Sequence, residues 1–350
     1  MRSIIYSLFK DVYLSISVLF LIVFSIVILI SLDKPLFPLY YIYIIFSIFA
    51  FWLFSQIDFD IISLFSKHFY IVSIVLLLLT LIIGQVTRGT IRWIPLGPFS
   101  LQAAEIVRPF LLVFFAVYIT KGEVGTGKIF KSIAYLALPV ILILVQPSLG
   151  VSILTMVGFI GVLIASRFDK KYLLIGLAGV IMLIPLLWNF LAPYQKQRVL
   201  TFLEPASDPL GAGYNSIQST IAAGSGTLFG TGLGKGIQTQ LAFLPEKQTD
   251  FIFAATAEEL GMVGAGIVLI ASFIILIRLT YFMENSVSPA GRAYISGFFL
   301  IYLAQIFIHV GMNMGMLPVT GVPFPLLSAG GSSLLATMMG LGIAVGALKK

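Results

Sequence analysis

The feature that most constrains this chain is a succession of unbroken apolar runs, most of them about as long as a bilayer is thick. Ten can be marked, at about 12–31, 36–56, 68–86, 102–120, 132–147, 149–166, 171–191, 254–281, 292–312 and 330–348. A helix of ~20 apolar residues spans the hydrocarbon core. Inside that core no water meets a backbone N–H or C=O, so a spanning segment closes its own hydrogen bonds. The runs therefore predict an all-α integral membrane protein of about ten transmembrane helices. Composition agrees: 59% of the 350 residues are hydrophobic and 10% charged, against about 45–50% and about 25% in soluble domains. Ten helices and their loops use nearly the whole length, which predicts a single polytopic domain over 1–350. The first run lacks a small-residue cleavage site after it and reads as a helix that stays.

Lys and Arg set the orientation. With the N-terminus inside, 13 of the 21 basic residues fall on the inner side, and four of the remaining eight share one long outer loop. This predicts N- and C-termini in the cytoplasm, and it accounts for the net charge of +7 without a nucleic-acid partner. Two outer segments carry most of the polarity: Gln85 to Leu101, and a loop of about 192–253 between the seventh and eighth helices. A loop this long is usually functional, and its 215–223 piece reads as a short helix at the interface.

Cysteine is absent and the two histidines, His68 and His309, lie far apart. Thiolate metal centres are thereby excluded and the distant histidines argue against a His-rich one, while carboxylates could still hold a Mg²⁺ or Mn²⁺ ion. The stretch "GEVGTGK" at Gly122–Lys128 resembles a phosphate loop, but Ile129 stands where a Mg²⁺-binding Ser or Thr belongs. It reads as a basic inner turn. The glycine run Gly224–Gly236 suits either a phosphate cradle or a tightly packed turn. His309, inside the ninth run, reads as a hydrogen-bonded core residue.

The stretch "LPEKQTDFIFAATAEELG", Leu244–Gly261, sets acids at the edge of an apolar run. Acids there are costly to hold. Asp250 has two readings: a charge favouring the helix dipole, or a general base whose desolvation raises its basicity. Glu258 and Glu259 are adjacent, so they face different ways, and at least one is expected to pair internally. Glu105 and Arg108 lie three apart on one helix face, as a structural ion pair, a cavity wall, or both. Arg198 has the fork that meets phosphate; simple solvation is the alternative. Lys247 is a further cation beside Asp250.

Five segments, in order, carry a resemblance: "RWIPLGPFSLQAAEIVR", "QPSLG", "RVLTFLEPASDPLGAGYNSIQS", "GKGIQTQLAFLPEKQTDFIFAATAEELG" and "GMLPVTGVPFPLLSAGGSSLL". The chain resembles the SEDS peptidoglycan polymerases, and its wording is similar to the elongation (RodA-like) branch more than to the division (FtsW-like) branch. The resemblance implies a membrane glycosyltransferase that joins lipid II into β-1,4 glycan strands at the outer face of the bacterial cytoplasmic membrane. It implies release of undecaprenyl diphosphate and a class B penicillin-binding protein as partner. The family's essential aspartate falls on Asp250 and its intramembrane ion pair on Glu105 and Arg108. Gln102, Arg198, Lys247 and Ser332 join these as expected substrate or cavity residues. Six positions depart from the pattern: Ala103 and Ala104 replace a proline and a serine, Arg108 a lysine, Ser148 an aspartate, Gln248 a histidine and Ala329 an aromatic. Ser148 removes one carboxylate from consideration, and any base chemistry at Asp250 works without a neighbouring histidine. Two rivals remain at this level: a flippase for lipid-linked precursors, which needs charges along both halves of a through path, and a non-catalytic scaffold for a transpeptidase.

Overall fold

The computed structural model describes residues 11–33, 38–87, 90–97, 99–123, 125–166, 193–204 and 213–348, with isolated positions between 171 and 189. Its elements, in order, are α1 Val12–Leu32, α2 Leu39–Gln56, α3 Phe59–Leu64, α4 Ser66–Ile83, β1 Gln85–Thr87, β2 Thr90–Leu96, β3 Phe99–Leu101, α5 Ala103–Thr120, α6 Thr126–Val145, α7 Leu149–Ala165, α8 Pro193–Leu203, α9 Tyr214–Ser225, α10 Ile237–Gln240, α11 Ile252–Asn285, α12 Pro289–Asn313 and α13 Gly331–Gly346. Among the described residues seven helices are long and apolar enough to cross a membrane, and α7 and α13 are shorter apolar helices. These nine coincide with nine of the ten apolar runs. The seventh run, 171–191, lies almost wholly outside the described residues.

Helix α5 is the central element, with both Glu105 and Arg108 among its buried residues. It is surrounded by α4, α7, α12 and α13, whereas α4 and α6 turn most of their surface outward as apolar side chains such as Ile71, Ile82 and Phe130. Outward apolar faces are what lipid requires, so the close packing inside depends on small residues. Helices α7 and α12 meet in this way: a Cβ on Gly161 would lie 2.7 Å from the Gly297 Cα. The Ser296 hydroxyl donates to the Gly161 carbonyl at 2.8 Å beside that contact.

Three features depart from the sequence reading. The segment read as an outer loop, Gln85–Leu101, holds among its described residues three antiparallel strands in the order β1–β2–β3. The Tyr43 hydroxyl ties the sheet to α2, donating to the Ser100 carbonyl at 2.8 Å and accepting its N–H at 3.0 Å. Among its described residues the 192–253 loop carries three helices, α8 to α10, and α9 covers the piece read as a short helix. Helix α6 begins at Thr126 rather than 132. The Lys128 ammonium there donates to the Ile119 carbonyl at 3.0 Å, so the basic turn closes the end of α5 and starts the next helix.

Helix α11 is longer than the apolar run and is broken at Gly261, where φ is +70° and ψ −169°. That backbone suits glycine alone. The hydrogen bonds lost at the break are replaced from the glycine run: Thr231 and Gly232 N–H groups donate to the Glu258 and Glu259 carbonyls at 2.9 and 3.0 Å. Met262 and Val263 N–H groups donate to the Thr227 and Leu228 carbonyls at 2.9 and 3.1 Å. A Cβ on Gly230 would lie 2.2 Å from the Glu259 carbonyl oxygen. Of the two readings of the glycines, close packing is the one this geometry realises.

Candidate functional site

The starts of four helices converge on one cleft of about 410 Å³. Its lining includes Gln102 and Ser148, the residues that precede α5 and α7, and Gly330, which precedes α13. Asp250 also lines it, one residue ahead of the N-cap of α11. None of the four helices has a side chain of its N-cap residue folded back on its first turn. Helix N-termini present unsatisfied N–H groups and partial positive charge, so the starts of α5, α7 and α13 together favour an anion, while the Ala254 N–H at the start of α11 is met by Asn313 Oδ1. Arg92 and Trp93 of β2 and Arg198 of α8 stand on the same lining, and Glu246 joins Asp250 as the second carboxylate.

The acidic turn is built locally. Glu246 has a left-handed backbone, φ +52°, which costs about 1–3 kcal/mol in a non-glycine residue. Its carbonyl accepts the N–H groups of Thr249, Asp250 and Phe251 at 3.0, 3.1 and 3.2 Å. The turn brings two carboxylates four residues apart to one lining. Among the described residues no three His, Cys, Asp or Glu side chains gather as a metal cage. Two carboxylates suit a divalent ion that takes its other ligands from substrate phosphates and water.

Of the residues singled out in the sequence, the cleft brings together Asp250, Arg198 and Gln102. Arg198 Nη1 also donates to the Val319 carbonyl at 3.1 Å. Ser332 stands behind the lining, where its hydroxyl accepts the Gln102 N–H at 2.9 Å, while Ser333 faces the cleft. Lys247 is turned away, because its ammonium donates to the Thr239 carbonyl. Glu105 and Arg108 form an ion pair within α5, with 2% and 4% of their side-chain surfaces exposed. They do not line the cleft. Arg108 borders only a narrow void closed by Phe298, Tyr302 and Gln305 of α12 and Ala336 and Thr337 of α13. The pair is a buried ion pair set apart from the cleft, because α12 and α13 pack over the face that carries it.

Glu258 and Glu259 are internal supports. The Glu258 carboxylate accepts the Gln238 and Thr239 N–H groups at 2.8 and 3.0 Å and caps α10. Glu259 accepts the Gln240 side-chain amide at 2.8 Å and the Thr239 hydroxyl at 3.3 Å, and it also holds Ser31 at the end of α1. His309 is a core residue whose Nδ1 meets the Val322 carbonyl at 2.8 Å.

Sequence reasoning gave no role to Arg92, Trp93, Glu246 or Asn313. Arg92 was countable only as one more outer cation; the alternation "TIRWI" is the strand signal that places it on a wall. Asn313 is an amide at the end of an apolar run, and the expense of burying an amide is the signal it offered.

Comparison with known proteins agrees with this architecture. The FtsW/RodA/SpoVE cell cycle protein family matches residues 5–350. The peptidoglycan glycosyltransferase MrdB of Escherichia coli is 39% identical over 292 residues, 83% of this chain and 79% of its own. A probable peptidoglycan glycosyltransferase FtsW of Pseudoalteromonas translucida is 35% identical over 303 residues, 84% of this chain and 75% of its own. Among solved structures, a chain of a peptidoglycan synthase complex that coordinates polymerization and crosslinking superposes with TM-score 0.82 at 30% identity, covering 96% of each chain. The rod shape determining protein RodA of Thermus thermophilus gives 0.72 at 25% identity, covering 95% of this chain and 94% of its own. With nearly the full length matched and the helical architecture shared, the chain belongs to the FtsW/RodA/SpoVE family of cell cycle proteins.

Proposed function

We propose that this protein is an elongation-type peptidoglycan glycosyltransferase, a multi-pass membrane enzyme that polymerises lipid II into β-1,4 glycan strands. The observation that carries the reading is the cleft itself: carboxylates Glu246 and Asp250 on one turn, Arg92 and Arg198 on the same lining, and the N-cap residues of α5, α7 and α13 beside them. Similarity to the E. coli glycosyltransferase MrdB supports the reaction class.

The reaction joins two sugars with inversion. The acceptor hydroxyl oxygen attacks the anomeric carbon of the lipid-linked donor, and the bond from that carbon to the diphosphate oxygen breaks. Asp250 takes the proton from the attacking hydroxyl. The leaving undecaprenyl diphosphate carries the negative charge away, and preoriented cations and N–H dipoles stabilise it as it forms. Arg92 and Arg198 supply the cations, and the starts of α5, α7 and α13 supply dipoles. A Mg²⁺ or Mn²⁺ ion, where used, would be held by Glu246 beside Asp250, and it would supply further neutralisation of that charge. Ser332 supports the cleft by holding the Gln102 backbone. Lys247 and the Glu105–Arg108 pair act at one remove, through the loop and through the core.

The cleft faces the outer side of the cytoplasmic membrane and both termini face the cytoplasm, as the Lys and Arg bias supports. The partner is a class B penicillin-binding protein; the likeness to a chain of a synthase complex that couples polymerization to crosslinking supports it. The test is reconstitution of the protein with that partner and labelled lipid II, comparing wild type with Asp250→Asn. Loss of glycan strands is expected in the variant. Strands at wild-type yield from Asp250→Asn would remove the base assignment, and lipid II translocation without polymerisation would favour a flippase.

A further inference from the structure

The half-buried Asp250 side chain sits on a backbone that is held at three consecutive carbonyls by groups from outside its own turn. The Gln248 carbonyl accepts the Ala329 N–H at 2.9 Å. The Thr249 carbonyl accepts the Ser328 hydroxyl at 2.8 Å. The Asp250 carbonyl accepts the Asn313 side-chain amide at 2.9 Å. The two side chains in this clamp are themselves fixed. Asn313 is fully buried; its Oδ1 accepts the Ala254 N–H at 2.9 Å, and its amide also donates to the His309 carbonyl at 2.8 Å. The Ser328 hydroxyl, 3% exposed, accepts the Phe324 N–H at 2.8 Å. On the other flank the Asp250 N–H donates to the Glu246 carbonyl at 3.1 Å.

From this geometry we infer that Asn313 and Ser328 are positioning residues for the Asp250 carboxylate, an inference that rests on Asp250 being the base. A helix cap alone would need only the Asn313 Oδ1 bond to Ala254. The second function of the amide, directed at the Asp250 carbonyl, and the independent Ser328 bond one residue earlier exceed what capping requires. With Gln248, Thr249 and Asp250 immobilised, the carboxylate keeps only its own side-chain torsions. A base must lie within hydrogen-bond reach of the proton it takes, and misplacement by ~1 Å costs about 100-fold in rate. Asn313 and Ser328 touch neither substrate nor reacting atoms. They act through the backbone that carries Asp250.

The test uses the full-length protein in complex with its transpeptidase partner and labelled lipid II. The turnover number kcat and KM are measured for Asn313→Ala, Ser328→Ala, Asp250→Asn and Ser219→Ala, and bound lipid II per molecule reports the folded fraction. Ser219 is the packing control: its hydroxyl donates to the backbone carbonyl of Asn313 at 2.8 Å, in the same buried cluster, and reaches nothing in the Asp250 turn. The expected result is a kcat of the folded fraction lowered roughly 10- to 100-fold in Asn313→Ala and Ser328→Ala, KM within about twofold, and wild-type kcat in Ser219→Ala. If Asn313→Ala does not fold, Ser328→Ala decides the question alone. Wild-type kcat in the Asn313 and Ser328 variants alongside an inactive Asp250→Asn would overturn the positioning role and leave the base reading standing. Wild-type kcat in Asp250→Asn would overturn both. An equal loss in Ser219→Ala would assign the effect to packing and overturn the role of Asn313.

Discussion

The Glu258 carboxylate fastens the α10 segment to helix α11. It is 1% exposed and accepts two backbone N–H groups of α10, from Gln238 at 2.8 Å and Thr239 at 3.0 Å. Hydrogen bonds to a charged group contribute about 1.5–3 kcal/mol each, so Glu258→Ala is expected to cost about 3–6 kcal/mol. Glu258→Gln keeps one acceptor oxygen but turns an NH₂ toward the second N–H, so roughly half the loss is expected. The effect reaches the cleft, because Thr239, at the capped end, accepts the Lys247 ammonium three residues before Asp250. The assay is the apparent thermal midpoint of the purified protein in detergent, with polymerase activity of the surviving fraction. A fall on the order of 10 °C is expected for the alanine variant, with the glutamine variant between it and wild type. Alanine and wild-type midpoints within a degree, or a glutamine variant as labile as alanine, would refute the capping argument.

Other consequences follow from the ion pairs and the cleft. Glu105→Gln leaves the Arg108 charge buried without its partner, which costs about 3–5 kcal/mol, whereas the paired change Glu105→Leu with Arg108→Met should recover most of it; thermal midpoints of the two variants and the wild type decide. Arg278 holds Asp11 through Nε at 3.0 Å to each carboxylate oxygen. Arg278→Ala should therefore destabilise by about 3 kcal/mol, again read as a midpoint, and a fall of under a degree would contradict it. Arg92→Ala and Arg198→Ala should lower kcat/KM for lipid II by roughly tenfold or more each, with activity assays on the reconstituted complex as the check; lysine at either site should rescue only in part, because it lacks the bidentate fork.

What the sequence revealed and what it hid divide along a physical line. The spans were legible because a bilayer imposes a length and a composition on each segment independently of its neighbours. Asp250 was legible because a carboxylate beside "FIFAA" is expensive wherever the helix happens to pack. The Glu105–Arg108 pair was legible as a pair, since three-residue spacing on a helix is local geometry. Its distance from the cleft was not, because that depends on α12 and α13 closing over one face of α5. The break at Gly261 was hidden for the same reason. Gly261 is one of three glycines in "EELGMVGAG" and nothing local marks it as the break, while the hydrogen bonds that make the break tolerable come from Thr227–Gly232, some thirty residues earlier. Asn313 makes the point most sharply. Its neighbours in sequence are apolar helix and glycine-rich turn, yet its amide meets Asp250 and Ala254, about sixty residues away. Residues whose cost or constraint is local can be read from a sequence, while residues that position others emerge only when distant segments are folded together.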